Sequence, residues 1–535
     1  MIWQPVDLSS VCPVQTNITA CSSFGYAFLN LLVHLYGDSV DRVREDEEPE
    51  LRNFEEFDFI VVGAGSAGCV VAKRLSENFK WRVLLLEAGG EEPDVTSIPG
   101  LSTSLLGSSI DWQFTTEPNG KSCFATKGRC TWPRGKVMGG SSAINSMSYI
   151  RGNKDDYDGW AALGNKGWSY EEVLPFFKKS EQNLNPLAVD PGYHGFTGEQ
   201  SVARYPYIDV PSRILTAAFI ERGLPLTDYN AGSINSPQVL MWSGIGPREH
   251  LVDVGIPVLQ DLPVGNNLHD HVTFNGLIIG YTNSSSTVTN NEDILRYTKD
   301  FFVTDHRKNP LAGNGPVNSI AFLKSEAGLE APDVEYQVDA IPSCKEFFSD
   351  PITYIQVSTL PTAFYDCVSL RTENLKPKSR GHIRLNPENV YGDPLINPNY
   401  FGDESDFLPL LRGIEFALTL DSTKAFKKLG AFFIKEPIPP CDDLVWGTTD
   451  YFICLMQTFT SSTYHPVGTC KMGPRSDRTA VVDPELKVYG VDRLRVIDAS
   501  IMPVAPSGNT NAPSIMIGER AVDFIIREWT DSERY

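Results

Sequence analysis

Residues 57–90 read FDFIVVGAGSAGCVVAKRLSENFKWRVLLLEAGG, and this stretch narrows the possible folds most. Phe57–Val62 is a short apolar run of β-formers. Gly63, Gly65 and Gly68 follow at once as G-x-G-x-x-G, and Val70, Val71 and Leu75 then recur at helical spacing. Val83–Leu86 is a second apolar run. Strand, glycine turn, helix and strand make a β–α–β unit, the start of a parallel sheet. The first glycine permits the tight turn, the second lets backbone approach a pyrophosphate, and the third lets helix and strand pack closely. The N-terminus of the helix after this turn offers free N–H groups and a partial positive charge to phosphates. Glu87 ends the second strand, where a carboxylate accepts hydrogen bonds from an adenosine ribose. A carboxylate there repels a 2′-phosphate, which argues against NADP. The motif leaves NAD and FAD both open.

At 535 residues the chain exceeds one ordinary core, and two domains are expected. A formal net charge of −21 argues against nucleic acid or an anionic membrane as partner, since either needs a basic patch. No run is long enough for a membrane span. Phe24, Phe28, Leu31, Leu32 and Leu35 share one helical face, so 24–36 reads as an amphipathic helix packed on the body. The first basic residue is Arg42, so an ordinary cleavable signal is not evident. The acidic run Glu45–Glu50 reads as a solvated linker. Ten cysteines contain no C-x-x-C pair and suggest no zinc framework. Cys12 with Cys21, and Cys123 with Cys130, flank short loops; either pair can close a disulfide in an oxidising compartment or stay as buried thiols.

Near the C-terminus, Leu494–Ile497 reads as a strand and Ala512–Arg527 as a helix with Ile515, Met516, Val522 and Ile525 apolar. Dinucleotide-like architecture thus returns at the far end. The expected fold is α/β: a Rossmann-like cofactor domain with a parallel sheet, interleaved with an α+β substrate domain containing an antiparallel sheet. The expected partition is a helix and linker over 1–55, a cofactor domain from 56–154, 231–270 and 480–535, and a substrate domain from 155–230 and 271–479.

Six further blocks carry a resemblance. They are PRGKVMGGSSAIN from Pro133, INSPQVLMWSGIGP from Ile234, VGNNLHDH from Val264, YHPVGTCKMG from Tyr464, VIDASIMPVAPSGNTNAPSIMIGERA from Val496, and LLLEAGG itself. With GAGSAG they span nearly the whole chain, in order, and the chain resembles the glucose–methanol–choline (GMC) oxidoreductase family. The N-terminal pattern and the block around Cys123–Cys130 look most like its insect glucose dehydrogenase-like branch, or an ecdysone-oxidase-like member. The resemblance implies FAD. Gly63, Gly65, Ser66, Gly68 and Glu87 would hold its ADP half. Arg134, Gly135, Gly139, Gly140, Ser141 and Asn145 would line the flavin side. Asp498, Asn509 and Thr510 would contact the pyrophosphate, ribityl and ring region. The positive end of the last helix would favour the charge that builds on reduced flavin.

The resemblance also makes His465 the catalytic base and Asn511 the second active-site residue. An alcohol would bind with its C–H aimed at flavin N5, neutral His465 would accept the hydroxyl proton as hydride passes, and Asn511 would hydrogen-bond the oxygen. The donor would be a sugar or steroid-like alcohol, the electron acceptor oxygen or a quinone, and the location outside the cell. His269 and His271 could share a strand face, but two ligands are too few for a metal, and none is expected. One departure stands out. In relatives a long stretch, with one strand of the parallel sheet and support for the adenine end, separates the D-x-N element at Asp228–Asn230 from the AG-x-x-NSP element at Ala231–Pro237. Here they touch. Losing that strand should expose apolar faces and unpaired backbone. Two other readings share the fold: a short form poor in FAD, and a lyase using FAD structurally.

Overall fold

The computed structural model describes residues 2–38, 55–187, 189–224, 235–282 and 287–532. The acidic run Glu45–Glu50 and the Asn230/Ala231 junction lie outside them. The N-terminal helix α1 spans Ser23–Tyr36, capped by Ser22, whose side chain accepts from the Phe24 N–H. Its buried stripe is Phe28, Leu29, Leu32 and Tyr36, while Leu35 faces solvent. The expected stripe is therefore turned toward Leu29 and Tyr36, because the Tyr36 hydroxyl reaches the Thr298 carbonyl in the body.

The β–α–β unit forms as the sequence dictates. β1 is Phe59–Val62, α2 is Ser66–Ser76 and β2 is Val83–Leu86, with β1 and β2 parallel in the register Phe59↔Val83 to Val62↔Leu86. Phe59 and Val61 pack toward Val71, Leu75, Val522 and Ile525. Among the described residues this sheet has only two strands. Ile60, Val62 and Leu86 are 60%, 65% and 43% exposed. Leu494–Ile497, expected as a further strand, forms only a single bridge, from Arg495 to Lys487. Ile497 still packs on the cluster that holds Phe59, but the segment spends its backbone bonds antiparallel on Leu486 and Val488, and among the described residues no parallel strand pairs with it.

The antiparallel sheet has seven strands: β3 Val272–Phe274, β4 Ile278–Tyr281, β5 Ala321–Leu323, β6 Val334–Ile341, β7 Cys367–Asn374, β8 Ala431–Phe433 and β9 Thr460–Ser462. The order is β5-β6-β7-β4-β8, and β3 joins β7 to β9. All eight residues of β7 are buried. Glu335 of β6 stands opposite Glu373 of β7.

The last helix, α3, runs Asn511–Ser532 and returns to pack on α2. Gly518 makes the close crossing possible: a Cβ there would meet the Ala67 carbonyl at 3.0 Å and Val70 at 3.1 Å. Buried Glu519 of α3 pairs with Arg74 of α2 at 2.7 Å and with Lys179 at 2.7 Å. Four disulfides close: Cys12–Cys21 and Cys123–Cys130, as their spacing allowed, and Cys344–Cys367 and Cys441–Cys454, which sequence spacing did not indicate. Among the described residues no helix is long and apolar enough to cross a membrane.

Candidate active site

Three glycine-rich turns meet at one place. The Gly139 N–H donates to the Ala64 carbonyl at 2.8 Å, and the Met138 N–H to the Gly90 carbonyl at 2.8 Å. The block from Pro133 therefore lies directly across the turns after β1 and β2. The approach leaves no room for side chains: a Cβ on Gly140 would stand 2.9 Å from the Gly65 Cα, one on Gly89 2.2 Å from the Val137 nitrogen, and one on Gly68 1.9 Å from the Gly63 carbonyl. Gly63 and Gly65 instead face open space, with nothing within 4 Å of the Cβ positions. α2 points its N-terminus into that space. Bare backbone, an open face and a helix N-terminus fit the pyrophosphate of a dinucleotide. Glu87 accepts from the Ala64 N–H at 2.7 Å and the Gly89 N–H at 2.8 Å, so it braces the two turns. A carboxylate keeps acceptor capacity beyond these two bonds.

His465 is fully buried in the loop after β9. The Asp270 carboxylate positions it, accepting the His465 N–H at 2.9 Å and the Ser462 hydroxyl at 2.5 Å, with a further bond from the Tyr400 hydroxyl. Tyr464, next to it, adopts φ +65, a backbone region uncommon for non-glycine residues. Buried Arg134 fixes that turn, donating from Nη2 to the Tyr464 carbonyl at 2.8 Å. Burial lowers the Arg134 guanidinium to about 10. Strain held by surrounding bonds is common where a side chain must be aimed.

The imidazole has two different surroundings. Nε2 lies 2.8 Å from the Asn509 amide nitrogen. Nδ1 lies 3.0 Å from His271 Nδ1, 3.1 Å from Thr463 Oγ1 and 3.5 Å from Glu373 Oε1. Thr463 spends its one proton on Glu373 at 2.8 Å, so its oxygen is left as an acceptor. The groups around Nδ1 thus favour a proton there, which leaves Nε2 with a lone pair facing an amide donor. Burial lowers the His465 imidazole below its ordinary range, with Glu373 acting the other way. Neutral, with the Nε2 lone pair held only by the Asn509 amide, His465 can accept a proton there.

The sequence-predicted residues divide. Arg134, Gly135, Gly139, Gly140 and Ser141 gather at the cradle; the Gly135 N–H donates to Ser141 Oγ at 3.2 Å. Asn145 turns its side chain to the Met147 N–H at 2.7 Å. Asp498 accepts from the Ser500 N–H at 2.7 Å and from the Ser236 hydroxyl, capping a short turn. Thr510 and Asn511 are buried at the start of α3, and the Asn511 Oδ1 has no partner. The amide on His465 is that of Asn509, taken from sequence as a cofactor residue. His269 and His271 do not act as a pair: His269 bonds the Asn267 carbonyl at 2.7 Å and the Ala505 N–H at 3.0 Å, while His271 turns to His465. Sequence reasoning missed Asp270, Glu373 and Thr463. His271, Glu373 and His465 offer ligand atoms within 4.8 Å of one another, a span a cation could also use, and the 3.0 Å ring contact is a hydrogen-bond length.

Family models described as GMC oxidoreductase match residues 57–228 and 229–273 with the N-terminal model and 377–518 with the C-terminal model. Glucose dehydrogenase [FAD, quinone] of Drosophila melanogaster is 34% identical, covering 89% of this chain and 87% of the relative. Ecdysone oxidase of Bombyx mori is 32% identical, covering 90% and 83%. A solved pyridoxine 4-oxidase superposes with a TM-score of 0.70 at 23% identity over 88% of this chain and 99% of its own. A fungal aryl-alcohol oxidase gives 0.70 at 22% identity, over 90% and 100%. The alignment to the Drosophila enzyme has 575 positions but uses 89% of 535 residues, about 476, so about 99 positions have no counterpart here. The N-terminal model itself breaks between 228 and 229, beside the junction where two family elements touch. The chain belongs to the GMC oxidoreductase family.

Proposed function

We propose that this chain is an FAD-dependent oxidoreductase acting on the CH–OH group of a small-molecule alcohol, sugar-like or steroid-like, with oxygen or a quinone as final electron acceptor. FAD, when bound, supplies the acceptor for the hydride. Gly63, Gly65, Ser66, Gly68 and Glu87 would hold its ADP half, and Arg134, Gly135, Gly139, Gly140, Ser141, Asn145, Asp498, Asn509 and Thr510 the remainder. The cofactor domain would be 56–154, 231–270 and 480–535, with 155–230 and 271–479 over the substrate. His465 takes the hydroxyl proton at Nε2, and the Asn511 amide hydrogen-bonds the substrate oxygen. The names of the relatives support the donor class, since they act on glucose, ecdysone and aryl alcohols. Four disulfides favour an oxidising location outside the cell.

The observation that carries the reading is the unprotonated Nε2 of a buried imidazole, facing the Asn509 amide and aimed by Asp270 and Arg134 beside an open glycine cradle. His465→Ala should keep the yellow colour of bound FAD yet lose bleaching by a donor alcohol without oxygen, by at least ~100-fold in rate. Bleaching at the wild-type rate would remove His465 from the chemistry.

A further inference from the structure

Behind the base lies a second set of groups that proton abstraction by His465 alone does not use. His271 and Glu373 are wholly buried, and neither is in the cradle. They sit on adjacent strands, His271 just before β3 and Glu373 near the end of β7, where β3 and β7 pair. Glu373 Oε1 is 3.3 Å from His271 Nδ1 and 3.5 Å from His465 Nδ1. The rings meet edge to face, Nδ1 to Nδ1, at 3.0 Å. Such a contact needs one proton between two nitrogens. If it rests on His465, His271 Nδ1 accepts it, and the His271 proton sits on Nε2, which is buried without a partner.

We propose that His271 and Glu373 form a charge-accepting relay behind His465, with His271 taking the relayed proton and Glu373 as the anion that stabilises it. This inference rests on His465 being the base. When His465 Nε2 takes the hydroxyl proton, the Nδ1 proton shifts to His271 Nδ1. His465 returns to neutral with its proton on Nε2, and His271 becomes the imidazolium beside the Glu373 carboxylate. One proton enters at Nε2 and one moves between the rings, so the site gains a single positive charge, held next to a negative one. In a dry interior this separation from the substrate oxygen matters, because charge there is poorly screened.

The surroundings suit that role. Burial pushes the Glu373 carboxyl up, but His271 and His465 outweigh it and bring it down to about 2. Its cross-strand neighbour Glu335 is driven far above the ordinary range by burial and by Glu373, so it stays protonated. The pair is thus split into one acid and one anion. The other charges near this face are Arg371, ion-paired to Asp339 at 2.8 Å, and Asp270, which burial raises while the Ser462 and Tyr400 hydroxyls oppose it.

The test is kinetic, with a readout independent of turnover. Glu373→Gln keeps the shape and removes the charge. Its kcat should fall roughly 10- to 100-fold with KM nearly unchanged, and the acidic limb of the pH profile should move down by about one pH unit, because the imidazolium loses its anion. Glu373→Asp should return the limb toward wild type. His271→Gln should lower kcat without lowering the limb. Flavin content and melting temperature should stay close to wild type in all three. Isotope-labelled histidine NMR reads the ring tautomers even if no donor alcohol is found: His465 should carry its proton at Nδ1 and His271 at Nε2. An active Glu373→Gln with an unmoved limb overturns the relay. So do two rings both protonated at Nε2, or one bound zinc per chain that Glu373→Gln removes. A wild-type chain that no alcohol bleaches, yet with the expected tautomers, would count against the proposed reaction and for the relay.

Discussion

β7 has eight buried residues and strands on both sides, whereas β1 has four residues, one neighbour and alternate side chains in water. β1 is made wholly of β-formers while β7 ends in Arg-Thr-Glu-Asn, so propensity alone would rank them the other way. The difference is what stands beside each. β7 finds β6, β4 and β3 within the described chain; β1 finds only β2. The break in the family match at 228/229, and the roughly 99 unmatched positions, put the deficit on the cofactor side. The substrate sheet finds its partners within its own sequence, while among the described residues the cofactor sheet stops at two strands with Ile60 and Val62 exposed.

That contrast can be broken most severely from the closed side. Val338, in the middle of β6, is fully buried. Val338→Asp should cost more than ~4 kcal/mol and leave little soluble protein, because a charge there has no partner. Soluble, cooperatively melting Val338→Asp would mean the two sheets differ less than their burial indicates.

Acid is the next probe, through a histidine that links the halves. His269 bridges to Val467 and bonds Ala505, and burial lowers its imidazole to about 3 from an ordinary 6.5. The unfolded chain binds a proton at His269 as pH falls through 6.5, but the folded chain does not until about 3. Its contribution is therefore fully present above 6.5 and is withdrawn across that window, by up to about 5 kcal/mol. His269→Gln, whose amide oxygen can still accept from Ala505, should flatten the fall of urea midpoint with pH between 6 and 4. An unchanged slope would place the acid sensitivity elsewhere.

The smallest effects belong to the open edge. Inserting the relatives' segment between 228 and 229 should cover Ile60 and Val62, adding ~2–3 kcal/mol and raising FAD retained after gel filtration. In the present chain Ile60→Thr should change stability by no more than ~0.5 kcal/mol, as at any exposed site. Equal FAD retention with and without the insert, or a large cost for Ile60→Thr, would mean that the edge is already covered.

The sequence conveyed local structure well and assembly poorly. The turn at Gly63–Gly68 was legible because its chemistry is contained in six consecutive residues. The block from Pro133 could be placed only by resemblance, since small residues alone fit any turn. Leu494–Ile497 was misread because an apolar run reports a preference, and pairing requires a neighbour that composition does not reveal. Glu373 was invisible: Arg-Thr-Glu-Asn within a strand reads as ordinary polarity, and its partners His271 and His465 stand 102 and 92 positions away. The rival amides Asn509 and Asn511 differ by two positions at a helix start, where side-chain direction turns sharply from one residue to the next.

The crossing of α3 on α2 at Gly518 has a consequence for how the molecule is made. The glycine turn that opens the cofactor cradle is synthesised early, and the helix packed behind it far later. Until α3 is made, α2 keeps an uncovered flank, and Arg74 lacks its Glu519. Any truncation that removes α3 would therefore act on a unit built hundreds of residues earlier in the chain.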